Sequence, residues 1–195
     1  SKSGPTSRGP MKKHVYIDPR CLAVSLIPST LEEYHKEVSG YLIGDRDRQL
    51  RVISAYPLQS DIKKRTWVSH GNDAAVRRVN GILETLKMQV IGGFHTHPLG
   101  PTKPSRSDID FIHDKLHEHG LPSWLELIVS VKKKAYRTPQ KPGWKLRMFE
   151  KKLGVTIRTT PWTGFDVTLG GFWIVDGGKA SVREATLWTS TKHPS

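Results

Sequence analysis

The run Gln89–Phe94, apolar at Val90, Ile91 and Phe94 around Gly92 and Gly93, is too short for a free-standing helix and requires a buried strand. Stretches of helical period flank it. Upstream, Ala75, Val76, Val79, Ile82, Leu83 and Leu86 recur at three and four behind a cap at Asn72 or Asp73. Downstream, Ile109, Ile112 and Leu116 line one face of a helix from Ser107 to about His119, stopped by Gly120 with Pro122 beyond. Further strands are expected at His14–Ile17, at Leu125–Val131, and in a hairpin of Ser39–Ile43 with Gln49–Pro57. Cys21 to about Lys36 fits a helix bent at Pro28, and Ser60–Gly71 reads as a loop. Strands alternating with helices predict an α/β domain, a mixed central sheet with helices packed on it. Residues 155–190 differ, reading as short strands Val155–Thr159, Phe165–Leu169, Gly171–Val175 and Ala185–Trp188 between Gly-rich turns. The expected organisation is a disordered leader or expression scar at 1–10, a main domain at 11–154 and a β-rich C-terminal extension at 155–195.

Composition narrows the chemistry. The 195 residues carry 31 Lys and Arg against 18 Asp and Glu, a balance of +13 that asks for nucleic acid, an acidic membrane surface or an acidic protein as partner. The single cysteine, Cys21, excludes an intramolecular disulfide framework and a Cys-only zinc site, leaving His, Asp and Glu as metal ligands. It sits in an apolar segment and reads as packing, in a reducing, cytoplasmic setting. No apolar run approaches the ~18 residues that span a bilayer, and the polar first ten residues lack the apolar core of a signal peptide.

The buried strand is expected to end in the turn His95-Thr96-His97-Pro98, ahead of the breaker-rich loop Leu99–Pro104. Two histidines two apart at a strand end project to the same side. Asp108, in the first turn of the next helix, can fold back across the loop as a third ligand. Two His and a carboxylate make an open zinc site, whose water acquires a pKa near ~7 and becomes a hydrolytic nucleophile. Such chemistry needs a base for the water and a donor for the oxyanion. Ser105, three residues before Asp108, is well placed as the donor. Glu37 is a base the sequence offers, although spacing alone does not bring it to the metal.

The pattern Glu-x-x-Gly-x-Leu-x-Gly over Glu37, Gly40, Leu42 and Gly44, followed by His-x-His-Pro-x(6)-Ser-x-x-Asp over His95, His97, Pro98, Ser105 and Asp108, resembles the JAMM (MPN-plus, JAB) metalloprotease family. Its members include the proteasome-lid deubiquitinase. The similarity covers roughly residues 13–150 and implies a cytidine-deaminase-like sheet flanked by helices. It also implies one Zn2+ ion on His95, His97 and Asp108, Glu37 as general acid/base, and Ser105 stabilising the tetrahedral intermediate. The implied substrate is ubiquitin or a ubiquitin-like protein, released from a lysine or trimmed at its C-terminus. Trp67 and His70 fall in the loop that the family would use beside the substrate's tail. Nothing in the chain resembles the long helical extensions of eukaryotic lid subunits, which suits a stand-alone prokaryotic member.

Two features stand outside this reading. His113, His117 and His119 share the second helix at spacings that suggest another metal site, yet the sequence positions no carboxylate or cysteine beside them, and solvated helix residues are the plainer expectation. Lys132–Arg158 holds ten Lys and Arg against Glu150 alone, interleaved with Tyr136, Trp144 and Phe149. That suits a nucleic-acid or acidic-protein surface, or else edge strands whose lysines discourage aberrant pairing. The rival functions are a RadC-like nucleic-acid-associated protein using this tract, which Leu99 after the His-x-His-Pro disfavours, and a small-peptide amidase.

Overall fold

The computed structural model describes residues 14–45, 50–58, 73–176 and 181–190. The leader at 1–10, and Trp67 and His70, lie outside these described residues. Among the described residues there are nine strands: β1 (His14–Ile17), β2 (Ser39–Asp45), β3 (Arg51–Pro57), β4 (Gln89–Pro98), β5 (Ser123–Ala135), β6 (Gly143–Phe149), β7 (Lys152–Arg158), β8 (Thr163–Val175) and β9 (Ser181–Trp188). A π-helical segment, Cys21–Leu26, runs into helix α1 (Ile27–Glu32), and α2 (Asp73–Thr85) and α3 (Arg106–Glu118) follow. The change of helical spacing falls just ahead of Pro28, which withholds a backbone donor. The helix expected to reach Lys36 stops at Glu32, with a turn over 33–35 and a bend at Lys36 before β2.

The strand order is β5-β4-β2-β3-β1-β9-β8, and β8 pairs back onto β5, so seven strands close into a barrel with β7 and β6 continuing beyond β8. The mixed sheet with helices packed on it agrees with the expected α/β class, and its closure into a barrel goes beyond that expectation. The strands after residue 155 are numerous, as anticipated, but they complete the barrel instead of standing beside it. β8 is responsible. Phe165–Leu169 and Gly171–Val175, expected as two strands, are one, antiparallel to β5 along its full thirteen residues. Its other side takes β7 along Gly164–Leu169 and β9 along Gly171–Val175, and β9 then pairs in parallel with β1. Gly170 does not break the strand. A Cβ there would lie 2.8 Å from the carbonyl oxygen of Thr102, so the bare position admits the loop that connects His97 to α3.

One face of the sheet buries Val15, Leu42, Val52, Phe94, Leu127 and Leu169, among others, around Leu22, Leu26 and Ile27 of the helical segment. The other carries Val90, Trp124, Ile128, Phe172 and Ile174 against Leu83 of α2 and Ile112 and Leu116 of α3. Cys21 is buried in the first cluster, and burial, with Asp18 adding, pushes its thiol up to about 12, so it packs and does not react. Among the described residues no helix is long and apolar enough to cross a membrane.

Candidate metal centre

β4 does not turn at His95. It runs on to Pro98, with His95, Thr96, His97 and Pro98 opposite Ile128, Val129, Ser130 and Val131 of the parallel β5. The longer neighbouring strand supplies partners that a lone His-x-His-Pro sequence does not reveal. Both imidazoles therefore leave a paired strand on one side of the sheet. The following loop returns toward them, Gly100 N–H donating to the His97 carbonyl (3.0 Å) and Ser130 Oγ–H to the Gly100 carbonyl (2.7 Å). Ser105 then caps α3 in a reciprocal box. Its hydroxyl accepts from the Asp108 N–H (3.2 Å), while Asp108 Oδ2 accepts from the Ser105 N–H (2.7 Å). The cap that starts the helix thus also aims the third donor.

Three atoms converge as a result. His95 Nε2 and His97 Nε2 are 3.0 Å apart, and Asp108 Oδ2 stands 3.7 Å from the first and 3.3 Å from the second. Tetrahedral zinc with bonds of ~2.0–2.2 Å sets its ligand atoms roughly 3.3–3.6 Å apart, so the donor set fits such an ion. The outer nitrogens are engaged elsewhere, His95 Nδ1 with Glu126 Oε1 (2.6 Å) and His97 Nδ1 with the Pro101 carbonyl (2.9 Å). With each Nδ1 engaged, Nε2 is the nitrogen that each ring turns to the shared point.

Glu126 is the residue that sequence reasoning missed. It is 4% exposed, on β5 opposite Gly93, and its second oxygen accepts from Trp124 Nε1–H (2.7 Å). A Cβ on Gly93 would stand 3.0 Å from Glu126 Oε2, so the glycine makes room for the carboxylate behind His95. The available signal was one acid inside the otherwise apolar run Leu125–Val129.

Thr96, the residue between the two histidines, holds the backbone on both sides of Glu37. Buried Thr96 Oγ1 accepts from Val38 N–H (2.8 Å) and donates to the Lys36 carbonyl (3.1 Å), while Thr96 N–H donates to the Val38 carbonyl (2.8 Å). Ser39 is paired with His95 at the first position of the β2–β4 ladder, and Glu37 lies two residues ahead of it, between the two residues that Thr96 holds. Ser105 Oγ–H donates to Asp108 Oδ2 (2.5 Å), so its hydroxyl already serves the third donor.

The charges are coupled. Burial opposes protonation of His95, but hydrogen bonding to Asp108 and Glu126 overrides it and raises the imidazole to about 10. Burial likewise opposes ionisation of Asp108, and hydrogen bonds from His95 and Ser105 hold its carboxyl well below the usual carboxylate range. At neutral pH the carboxylate is ready to ligate and His95 must first lose a proton. Metal uptake at pH 7 is therefore expected to release about one proton per ion, and affinity to weaken about tenfold for each pH unit of acidification. Calorimetry in buffers of differing ionisation enthalpy measures the release, and Glu126→Gln should reduce it.

The basic tract Lys132–Arg158 runs through the end of β5 and through β6 and β7. Among the described residues β6 pairs with β7 alone, and it carries Lys145 and Arg147, an arrangement that protects a sheet edge.

The family described as prokaryotic homologs of the JAB domain matches residues 20–141, more than half of the chain. No curated protein sequence matches. Among solved structures, the solution structure of protein DSY2949 from Desulfitobacterium hafniense is similar, with a TM-score of 0.55, 20% identity, and coverage of 91% of this chain and 94% of that one. At that identity the likeness carries the fold alone.

Proposed function

The chain belongs to the family of prokaryotic JAB-domain homologues, and on that premise we propose that it is a zinc-dependent amide hydrolase acting on ubiquitin or a ubiquitin-like modifier. The observation that carries the proposal is the convergence of His95 Nε2, His97 Nε2 and Asp108 Oδ2 within 3.7 Å of one another. The three side chains are only 15–16% exposed, so substrate approaches a largely dehydrated site in which charges interact strongly. A cytoplasmic setting suits the lone buried thiol.

His95, His97 and Asp108 would hold the ion. When bound it supplies Lewis acidity toward a carbonyl and makes water acidic near neutral pH. Glu126 keeps the proton on His95 Nδ1 and fixes the ring. Glu37 takes the proton of the attacking water and returns it to the departing amine, the two halves of general acid/base catalysis. Ser105 serves first as a positioning residue for Asp108, and by turning its hydroxyl from that carboxylate it would donate to an oxyanion. β4 has a strand on each side, so a substrate tail takes its main-chain register from another segment than the one bearing the histidines.

The test is a substrate panel presented to the zinc-loaded chain: a ubiquitin-like protein linked to lysine, the same protein with a C-terminal extension, and a short peptide amide. Cleavage after the modifier's terminal residue, abolished by chelation and restored by zinc, is expected. Cleavage of the short amide alone would replace this reading with a peptide amidase.

A further inference from the structure

Further along α3 lies a second group of the same composition. His113 and His117, four residues apart, share one face of the helix, with ring centroids 4.6 Å apart. Asp176, immediately after β8, stands between them, Oδ1 3.6 Å from His113 Nε2 and Oδ2 3.8 Å from His117 Nε2. The sequence showed the histidines without a carboxylate. Barrel closure brings one to them from the far end of β8.

Neither approach is a hydrogen bond. A carboxylate and an imidazole that bond for their own sake close to about 2.7–2.9 Å. Here His113 Nε2 is buried without a hydrogen-bonding partner among the described residues, and the carboxylate gives one oxygen to each ring. The imidazole-to-carboxylate separations are close to the 3.7 and 3.3 Å of the first centre, and the three donor atoms lie within 4.8 Å of one another. His119, two residues on, takes no part, because its ring lies against Tyr41 and Trp124 at 5.1 and 5.5 Å.

We propose that His113, His117 and Asp176 form a second site, for a divalent transition-metal ion of the zinc type. Imidazole and carboxylate suit that class, and three donors leave the remaining positions to water. The solvent side is open, His117 being 54% and Asp176 38% exposed. An ion held there ties the C-terminal half of α3 to the end of β8, and so steadies the helix whose first turn carries Asp108.

The full chain, equilibrated with zinc and freed of loosely held ion, should carry two zinc ions by atomic emission. His117→Ala and Asp176→Asn should each carry one and keep full hydrolytic activity. His97→Ala should also carry one, and its zinc-induced rise in thermal midpoint should vanish when His117→Ala is added. An ion kept in His97→Ala but lost in His117→Ala supports this site even if the first centre proves not to be catalytic. A single ion that His97→Ala removes, or two ions retained by either His117→Ala or Asp176→Asn, overturns the assignment.

Discussion

Glu37→Gln should lower turnover about 10²–10⁴-fold, the range spanned by general acid/base groups, while zinc content and thermal midpoint stay unchanged. The substitution preserves size and hydrogen-bonding reach but cannot accept the water's proton. Thr96 holds the backbone on both sides of Glu37 through Val38 and Lys36, so the amide should occupy the carboxylate's place without disturbing the strands. The measurement is steady-state cleavage by zinc-loaded chains of equal metal content. Undiminished turnover would remove Glu37 from the mechanism. The companion change Thr96→Val tests how Glu37 is placed, since it leaves the acid intact but removes its tether. It should reduce turnover with zinc binding retained.

Asp108→Ala should have a larger and double effect, extinguishing zinc binding at this centre together with hydrolysis and also weakening the fold. One oxygen, Oδ2, faces both imidazoles and closes the capping box of α3. Losing a capping interaction costs about 0.5–2 kcal/mol, seen as a lower denaturant midpoint with no change in slope. Because its carboxyl is held below the usual range, Asp108's contribution is complete above the ordinary carboxylate pKa and is lost only as pH falls through the depressed value. The stability gap between the two chains should therefore narrow in strong acid. Asp108→Asn separates the roles, keeping an acceptor for Ser105 while removing the charge. If Asp108→Ala retains zinc at this centre, the ligand set is wrong.

What the sequence disclosed about the site depends on chain distance. His95, His97, Ser105 and Asp108 lie within fourteen residues, where strand alternation and helix capping are local rules, so their convergence was legible. Glu126 reaches His95 through register, and Glu37 lies two residues ahead of the strand that pairs with β4. Glu37 depends on Ser39 facing His95, and Glu126 on Gly93 facing it across a parallel pair, neither of which is written in spacing. Asp176 had no local signal beyond the Asp-Gly-Gly turn it begins. The α/β alternation and α2 and α3 were read correctly from their apolar periods. Barrel closure was not, because Gly170-Gly171 reads as a break until Thr102 is seen to press against it.

The placement of the histidines on a strand paired on both sides bears on when the metal arrives. Backbone bonds to β2 and β5, not the ion, hold the ligands in position, in contrast to small domains that are unfolded until they capture zinc. If the centre takes zinc as proposed, folding would come first and loading last. A chelator should empty the centre and leave the barrel standing, and returning zinc should restore activity without passage through the unfolded chain. A cell short of zinc would then keep this protein as a folded reserve, silent until supply recovers.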